Sequence, residues 1–324
     1  MSESNQLDGI DIACINALIS NPRGSWRELS LVSEIPEKKL SRRINKLFDD
    51  QVIRTSVELN PLVVNKGYTV HVWISVKFGK EKEIAQFFSK RPEVRIVFLT
   101  TGLADIFLEI GLEKPSDLSI WMHDFVTQIP DIKTVETQAV LKPFTWASKP
   151  KTDHEIHFFE KRILSDIELN LIHYLSEDGR ASIKSLSEKV NLSEHKTQKL
   201  LNDLLDEGIF NIRIDLEPQL LGFESEAIIL IKASPLYANK IAKSLSEISN
   251  TRCLFGISGD SQFFWHVLTN DLSDLWKLIT EELSNLDGIL SCNTNMITLA
   301  LKRAGFMRKL TTTSLLSTND KNLI

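Results

Sequence analysis

Cysteine is scarce in this chain. Cys14, Cys253 and Cys292 are all it has, an odd number without a C-x-x-C pair. That excludes a disulfide framework and a zinc ribbon and points to a reducing compartment. No apolar run approaches about 18 residues, so no membrane span is expected. The stretch from Met1 to Asp8 is polar and acidic and is not a signal peptide. A cytoplasmic location is the expectation. A basic balance is also missing: the formal charge is -5 and the pI is about 5.9. A strongly basic domain would favour nucleic-acid binding outright. Here any such binding must come from a local patch. Catalytic signatures are missing too, with no G-x-S-x-G, Walker loop or G-x-G-x-x-G. The histidines (His71, His123, His154, His157, His173, His195 and His266) form no H-E-x-x-H spacing. No cofactor, metal or catalytic residue is expected, so the chain reads as a non-enzyme. What remains is ordinary globular material, 42% hydrophobic and 25% charged.

The chain repeats itself at a shift of about 157 positions. Leu7 falls on Leu164, Ile10 on Ile167, Ile15 on Ile172 and Leu18 on Leu175. Arg23 meets Arg180, Ser25 meets Ser182, Leu47 meets Leu204 and Pro61 meets Pro218. A two-residue slip pairs Gly67 with Gly222 and is regained before Arg95, which meets Arg252. Gly102 then meets Gly259, and Ser116-Asp117-Leu118 meets Ser273-Asp274-Leu275. One register held over about 130 residues indicates duplication.

Each copy has a helical half and an α/β half. In the leading copy Ile12, Ile15, Leu18 and Ile19 recur at helical spacing. Asn21-Pro22-Arg23-Gly24 is a turn, and Ser25 with Glu28 makes a capping box for a helix that buries Leu29 and Trp26. Pro36 opens a third helix, residues 36–50, with Leu40, Ile44 and Leu47 in one stripe, and a strand follows at 52–59. In the trailing copy Ile167, Leu171 and Leu175 line the first helix, Ser182 marks the second, and Ser193 caps the third, before a strand at 209–216. Both second halves read strand, helix, strand, strand, helix, strand, a ferredoxin-like order. The strands are expected at 69–78, 94–100, 105–112 and 132–141, and again at 226–233, 252–257, 261–269 and 289–299. The helices are expected at 80–90, 116–129, 235–248 and 271–286.

The fold class is therefore α+β: two winged-type helix-turn-helix domains alternating with two ferredoxin-like βαββαβ domains. The expected domains are helix-turn-helix 5–60, α/β 61–142, linker 143–161, helix-turn-helix 162–217, α/β 218–303 and tail 304–324.

Leu7-Asp8, Arg23-Gly24-Ser25 with Leu29, Arg42-Arg43-Ile44 with Leu47, Leu59-Asn60-Pro61 with Gly67-Tyr68, and the turn Thr101-Gly102-Leu103-Ala104-Asp105 follow in order. In this order they resemble the Lrp/AsnC (leucine-responsive/asparagine-regulator) family of transcription regulators, twice over. The resemblance implies double-stranded DNA as a partner and an amino acid as small-molecule effector between α/β modules. Such a ligand would couple to DNA affinity by altering the spacing of the helix-turn-helix units. It also implies a homo-oligomer, dimer or higher, through the α/β sheets, with no membrane partner.

The third helix is the candidate recognition helix. Lys38, Lys39, Ser41, Arg42, Arg43, Asn45 and Lys46 are its candidate DNA contacts, since exposed Lys and Arg pair with phosphates or guanine edges. In the trailing copy His195, Lys196, Gln198 and Lys199 are secondary candidates among Glu194, Asp203, Asp206 and Glu207. That net-negative helix is either a weaker reader or a structural one. Carried over by position, Thr101, Gly102, Leu103, Ala104 and Asp105 are the effector edge, with turn N–H groups for a carboxylate and Asp105 for an amino group. Ser258, Gly259 and Asp260 are their secondary counterparts, with Gln262 opposite Asp105. Two alternatives remain. One is an amino-acid-binding module without DNA binding. The other is a sirohaem-decarboxylase-like enzyme, which would need histidines and several basic residues converging on a tetrapyrrole pocket; His71 and His266 do not align between the copies.

Overall fold

The computed structural model describes residues 7–60, 67–145, 164–303 and 305–308. Pro61, most of the expected linker with His154 and His157, and nearly all of the expected tail lie outside the described residues. The leading copy runs α1 (Gly9–Ser20), α2 (Trp26–Ser33), α3 (Glu37–Asp49), β1 (Arg54–Leu59), β2 (Tyr68–Val76), α4 (Glu81–Ser89), β3 (Val94–Thr100), β4 (Ile106–Leu112), α5 (Asp117–Trp121) and β5 (Ile132–Thr145). The trailing copy runs α6 (Asp166–Glu177), α7 (Ile183–Val190), α8 (Glu194–Asp206), β6 (Phe210–Asp215), β7 (Ser225–Ala233), α9 (Ala238–Glu247), β8 (Thr251–Ile257), β9 (Phe263–Thr269), α10 (Leu272–Lys277) and β10 (Ile289–Arg303), then β11 (Phe306–Met307). The fold is α+β. The chain divides into two compact units, 1–60 with 162–223 and 61–161 with 224–324.

In the helical unit, caps set the helix starts. Asp8 and Ser25 each form a capping box, as does Ser165 in the trailing copy, while Ser182 and Ser193 accept a single N3 amide. Leu40, Ile44 and Leu47 of α3 pack with Ile15, Leu18 and Leu29, and with Ile214 and Leu216 of the trailing copy. Trp26 is only half-buried. The strand that follows each helical trio is paired across the copies. Among the described residues β1 is in no hairpin of its own but pairs antiparallel with β6, from Arg54 opposite Asp215 to Leu59 opposite Phe210. The two copies thus share one two-stranded ribbon, with one strand from each. The boundary expected at 217/218 also moves. A 3-10 turn at Pro218–Leu221 puts Leu220 and Leu221 against the helical core, so this unit extends to Phe223.

A reciprocal clasp joins the copies. Arg23 donates from its two terminal nitrogens to the carbonyls of Gly179 and Ala181 at 2.6 and 2.8 Å. Its counterpart Arg180 donates to those of Pro22 and Gly24 at 2.5 and 2.9 Å, and lies over the Trp26 ring. Burial pulls both guanidinium groups below their ordinary pKa.

In the α/β unit each copy forms an antiparallel sheet, ordered β3-β4-β2-β5 and β8-β9-β7-β10. The sheets then exchange ends. β5 pairs with β2 over Ile132–Ala139 and with β8 from Val140 to Thr145. β10 pairs with β7 from Ile289 to Met296 and with β3 from Ile297 to Lys302. Residues 143–145, expected to open the linker, therefore belong to a strand. Of the two sheet pairings open to the modules, within the chain or between chains, the first is present: the eight long strands close on themselves. The repeat register returns earlier than Arg95: Ile74 and Ile231 already hold equivalent places, each accepting the amide of Asp105 or Gln262.

Both faces of the central strands are buried, so β2 alternates between two cores. Val70, Val72 and Ile74 face the helix-covered core with Phe88 and Trp121. Trp73 turns inward to the seam between sheets, where Phe98 and Phe107 meet Ile228, Leu230, Phe255 and Phe264.

Removing one arm of the clasp, Arg23→Ala, should lower the stability of the helical unit by about 1–3 kcal/mol, because four part-buried carbonyl contacts are shared by two guanidinium groups. Arg23→Lys should not restore it, since an ammonium cannot span two carbonyls as the guanidinium fork does. Denaturant unfolding followed at the helical unit checks this, and an unchanged midpoint would contradict it.

Candidate functional site

Helix α3 presents its polar face outward. Lys38, Lys39, Arg42, Asn45 and Lys46 are exposed, while Leu40, Ile44 and Leu47 are buried. Among the described residues none of these four cations is in an ion pair. Ser41 is half-buried, its hydroxyl donating to the Lys38 carbonyl. Arg43 departs from the sequence expectation. It faces α1, where it pairs with Asp8 at 2.9 Å and Asp11 at 3.0 Å. It ties α3 to the start of α1 and is withdrawn from the DNA-facing set. Leu200 occupies the equivalent place in the trailing copy.

Helix α8 has the same stance and a different charge. His195, Lys196, Gln198 and Lys199 are exposed, with Glu194, Asp203 and Asp206 on the same helix. Gln198 donates to Asn202 at 2.9 Å.

The turn Thr101 to Asp105 is placed differently from the expectation. Its donors are already engaged by the other copy's long strand. Thr101 N–H goes to the Met296 carbonyl at 2.9 Å and Leu103 N–H to Asn295 Oδ1 at 2.7 Å. Gly102 has φ +99°, and a Cβ there would lie 2.7 Å from Asn295 Oδ1. The glycine therefore admits the neighbouring strand, not a ligand. Ala104 is buried, its carbonyl accepting from the Thr100 hydroxyl. Asp105 Oδ2 accepts the Val76 amide at 2.8 Å. Gln262 does the same for Ala233 at 2.7 Å, so the fold needs a carbonyl-type acceptor there and not a charge. In the trailing copy Ser258 and Ala139 exchange two hydrogen bonds, Gly259 has φ +105°, and Asp260 pairs with Lys232 at 2.6 Å.

Beside this turn lies a cavity of about 390 Å³ lined by Gly79, Glu81, Lys82, Leu99, Thr100, Asp105 and Thr298. Sequence reasoning found Asp105 alone of this set as a candidate. Thr298 could not be found from its own copy, because only the strand exchange carries it here.

The seam between the sheets holds a second cluster. His71 lies 3.4 Å from Glu109, which faces Arg95 at 3.6 Å. Glu226 receives both terminal nitrogens of Arg303, at 2.5 and 2.6 Å, and bonds His266 at 2.7 Å. So His71 and His266, unaligned in sequence, do converge with basic residues, contrary to the expectation. The space between them is filled: His71 lies 4.2 Å from Phe264 between ring centroids, Phe107 stacks on Phe264 at 5.3 Å, and Arg303 covers Phe98 at 4.8 Å. These aromatic contacts occupy the space directly between the two histidines. Among the described residues no group of three or more His, Cys, Asp or Glu could hold a metal ion. Nor is any helix there long and apolar enough to cross a membrane.

Burial by itself would raise the Glu226 carboxyl, but Arg303 and then His266 hold it well below 4.5. Burial holds His266 below its ordinary 6.5, against the pull of Glu226 and with Arg252 and Arg303 adding to the depression. A histidine whose pKa is depressed by folding stabilises the fold above its unfolded value and loses that contribution as pH falls below it. The melting temperature of the α/β unit should therefore fall by a few degrees between about pH 7.5 and 5. His266→Gln, which keeps a donor for Glu226 but cannot take a proton, should flatten that slope. The Glu226 contribution is lost only at lower pH, from about 4.5 downward.

Comparison with known proteins agrees with this organisation. The sequence model of the Lrp/AsnC ligand binding domain matches residues 69–146 and again 226–305, and that of a winged helix-turn-helix DNA-binding domain matches 164–210. An HTH-type transcriptional regulator of Pyrococcus horikoshii is 30% identical over 148 residues, spanning 45% of this chain and 92% of that protein. The proline dehydrogenase transcriptional activator of Rhizobium radiobacter is 29% identical over 163 residues, 49% of this chain and 99% of that one. A solved siroheme decarboxylase, NirDL, superimposes with a TM-score of 0.59 over 91% of this chain and 93% of its own, at 13% identity, a likeness of fold alone. With regulators of single-copy length matching nearly end to end, and the ligand-binding domain present twice, the chain belongs to the Lrp/AsnC family of DNA-binding transcription regulators.

Proposed function

We propose that this chain is a cytoplasmic, sequence-specific regulator that does alone what two subunits do elsewhere. In this reading two helix-turn-helix units form one DNA-reading head, and two ferredoxin-like βαββαβ modules form one effector-sensing body for a small molecule, an amino acid. It acts by binding and not by catalysis. The observation that carries the reading is α3: four exposed cations, in no ion pair among the described residues, on the face opposite its buried stripe, in a chain of net charge -5. A local concentration of positive charge on an acidic protein has phosphate as its natural partner.

The head is asymmetric. α3 supplies most of the phosphate anchoring, and α8, where Glu194, Asp203 and Asp206 surround two lysines, contributes less. The operator then need not be a palindrome, since symmetry of the site follows symmetry of the reader. The ribbon of β1 and β6 and the arginine clasp oppose a mechanism in which an effector changes the spacing of the two helix-turn-helix units. Coupling of ligand to DNA acts on the pair as one body, with reciprocal effects on the two affinities.

Binding to operator fragments recovered by genomic pull-down, measured across a salt series, tests this. Replacing Arg42 and Lys46 with Ala should flatten the salt slope by about two units, one for each lost phosphate contact. Lys196→Ala with Lys199→Ala should change it little. Arg43→Ala should lower the melting temperature and leave the slope as it was. If the wild-type chain retains no chromosomal fragment in dilute buffer, with or without amino acids, the regulator reading fails.

A further inference from the structure

The lining of the cavity beside Asp105 is not repeated in the trailing copy. With Ile74 and Ile231 equivalent, its lining residues have unambiguous counterparts. Glu81 corresponds to Ala238, Lys82 to Asn239, Leu99 to Gly256, Thr100 to Ile257, Asp105 to Gln262 and Thr298 to Leu141. Every charged side chain has become neutral, and both threonines have become aliphatic. Leu141 is 56% exposed and Leu236, opposite Gly79, is 85% exposed. The charges nearby in the trailing copy are paired off: Lys232 with Asp260, Lys240 with Asp287, and Lys142 over the Phe144 ring.

In the leading copy one cation is left over. Lys77 and Lys80 pair with Asp131, and Lys80 also with Glu83, but Lys82 has no partner among the described residues. Glu81 accepts the Gly79 amide through one oxygen. Asp105 uses Oδ2 for the Val76 amide, which leaves Oδ1 for a ligand. The cavity thus offers one cation and two half-engaged carboxylates, Glu81 and Asp105, with the Thr100 and Thr298 hydroxyls, which donate to the Ala104 and Leu99 carbonyls, close by. The amides of Thr101 and Leu103 cannot serve a ligand carboxylate, because Met296 and Asn295 hold them.

We infer that the chain carries a single effector site, in the leading copy, for a small zwitterion whose carboxylate meets Lys82 and whose ammonium meets Asp105 Oδ1, and that the trailing copy has lost the matching site. This rests on the effector reading above and adds its stoichiometry and its ionic contacts. A cation and an anion lining one small cavity favour a ligand bearing both charges, because a charge left unpaired on desolvation is penalised.

The test uses the full chain and the protein L-amino acids as probes. Thermal shift finds which of them bind, and calorimetric titration counts them. One molecule per chain is expected. Lys82→Ala and Asp105→Asn should each weaken binding about tenfold, near 1.4 kcal/mol. Asp105→Asn should leave the fold intact, since Gln262 already makes the same backbone contact without charge. Lys82→Ala should also erase the preference for the free amino acid over its methyl ester. Asn239→Ala and Gln262→Ala should leave affinity unchanged. Two molecules per chain, or affinity indifferent to Lys82→Ala and Asp105→Asn, would overturn the single-site assignment while the effector reading stands. If no amino acid shifts the melting temperature or is taken up, the effector reading fails and the single-site assignment with it.

Discussion

Strand exchange between the copies is the constraint on which the α/β unit depends. β5 and β10 begin in their own sheets and end in the other's, β5 passing from β2 to β8 and β10 from β7 to β3. A lone four-stranded sheet would present unpaired edges, which invite association. Here each edge is closed by the other copy, and the inner faces bury Trp73, Phe98, Phe107, Phe255 and Phe264 between them. Neither module can be finished without its counterpart. Joining the two in one chain makes that pairing intramolecular, so it no longer depends on protein concentration.

Within that frame the copies have diverged in charge and kept their backbone contacts. Arg23 and Arg180 exchange equivalent hydrogen bonds, and Gly102 and Gly259 share a positive φ. Asp105 and Gln262 accept equivalent amides, yet one is charged and the other is not. Glu109 and His266 occupy equivalent places, and each finds an opposite partner, His71 in one case and Glu226 in the other. α3 and α8 share a cap position and a buried stripe while differing in sign. Positions that hold the duplicate together have resisted change, and exposed positions on α3, α8 and around Asp105 have not. That pattern is what a fused pair permits, because one chain no longer obliges both halves to do the same work.

The seam also accounts for the buried charges. Arg303 meets Glu226 through two parallel hydrogen bonds, and His266 takes up the same carboxylate. A buried pair of this kind adds little net stability compared with an apolar pair, but breaking one side leaves an uncompensated charge. The cluster therefore favours one register of the two sheets over slipped alternatives, which would strand those charges among aromatic rings.

Periodicity, caps and the internal repeat were legible in the sequence because they are local. The stripe of Leu40, Ile44 and Leu47, the Ser25 and Glu28 box, and the alternating strands follow from spacing within a few residues. So did the basic face of α3, since a helix projects charges by sequence position alone. What the sequence could not contain was the partner of each element. Arg43 turned to Asp8 and Asp11, β1 paired with β6, the turn donors at Thr101 and Leu103 were taken by β10, and His71 met the neighbourhood of His266. Each depends on groups that are distant along the chain and adjacent in space. Spacing within the chain determined which residues share a face. Only the pairing of the two copies decided which of those faces remained open to a ligand, because a hydrogen-bond donor already satisfied by a neighbouring strand has nothing left to offer.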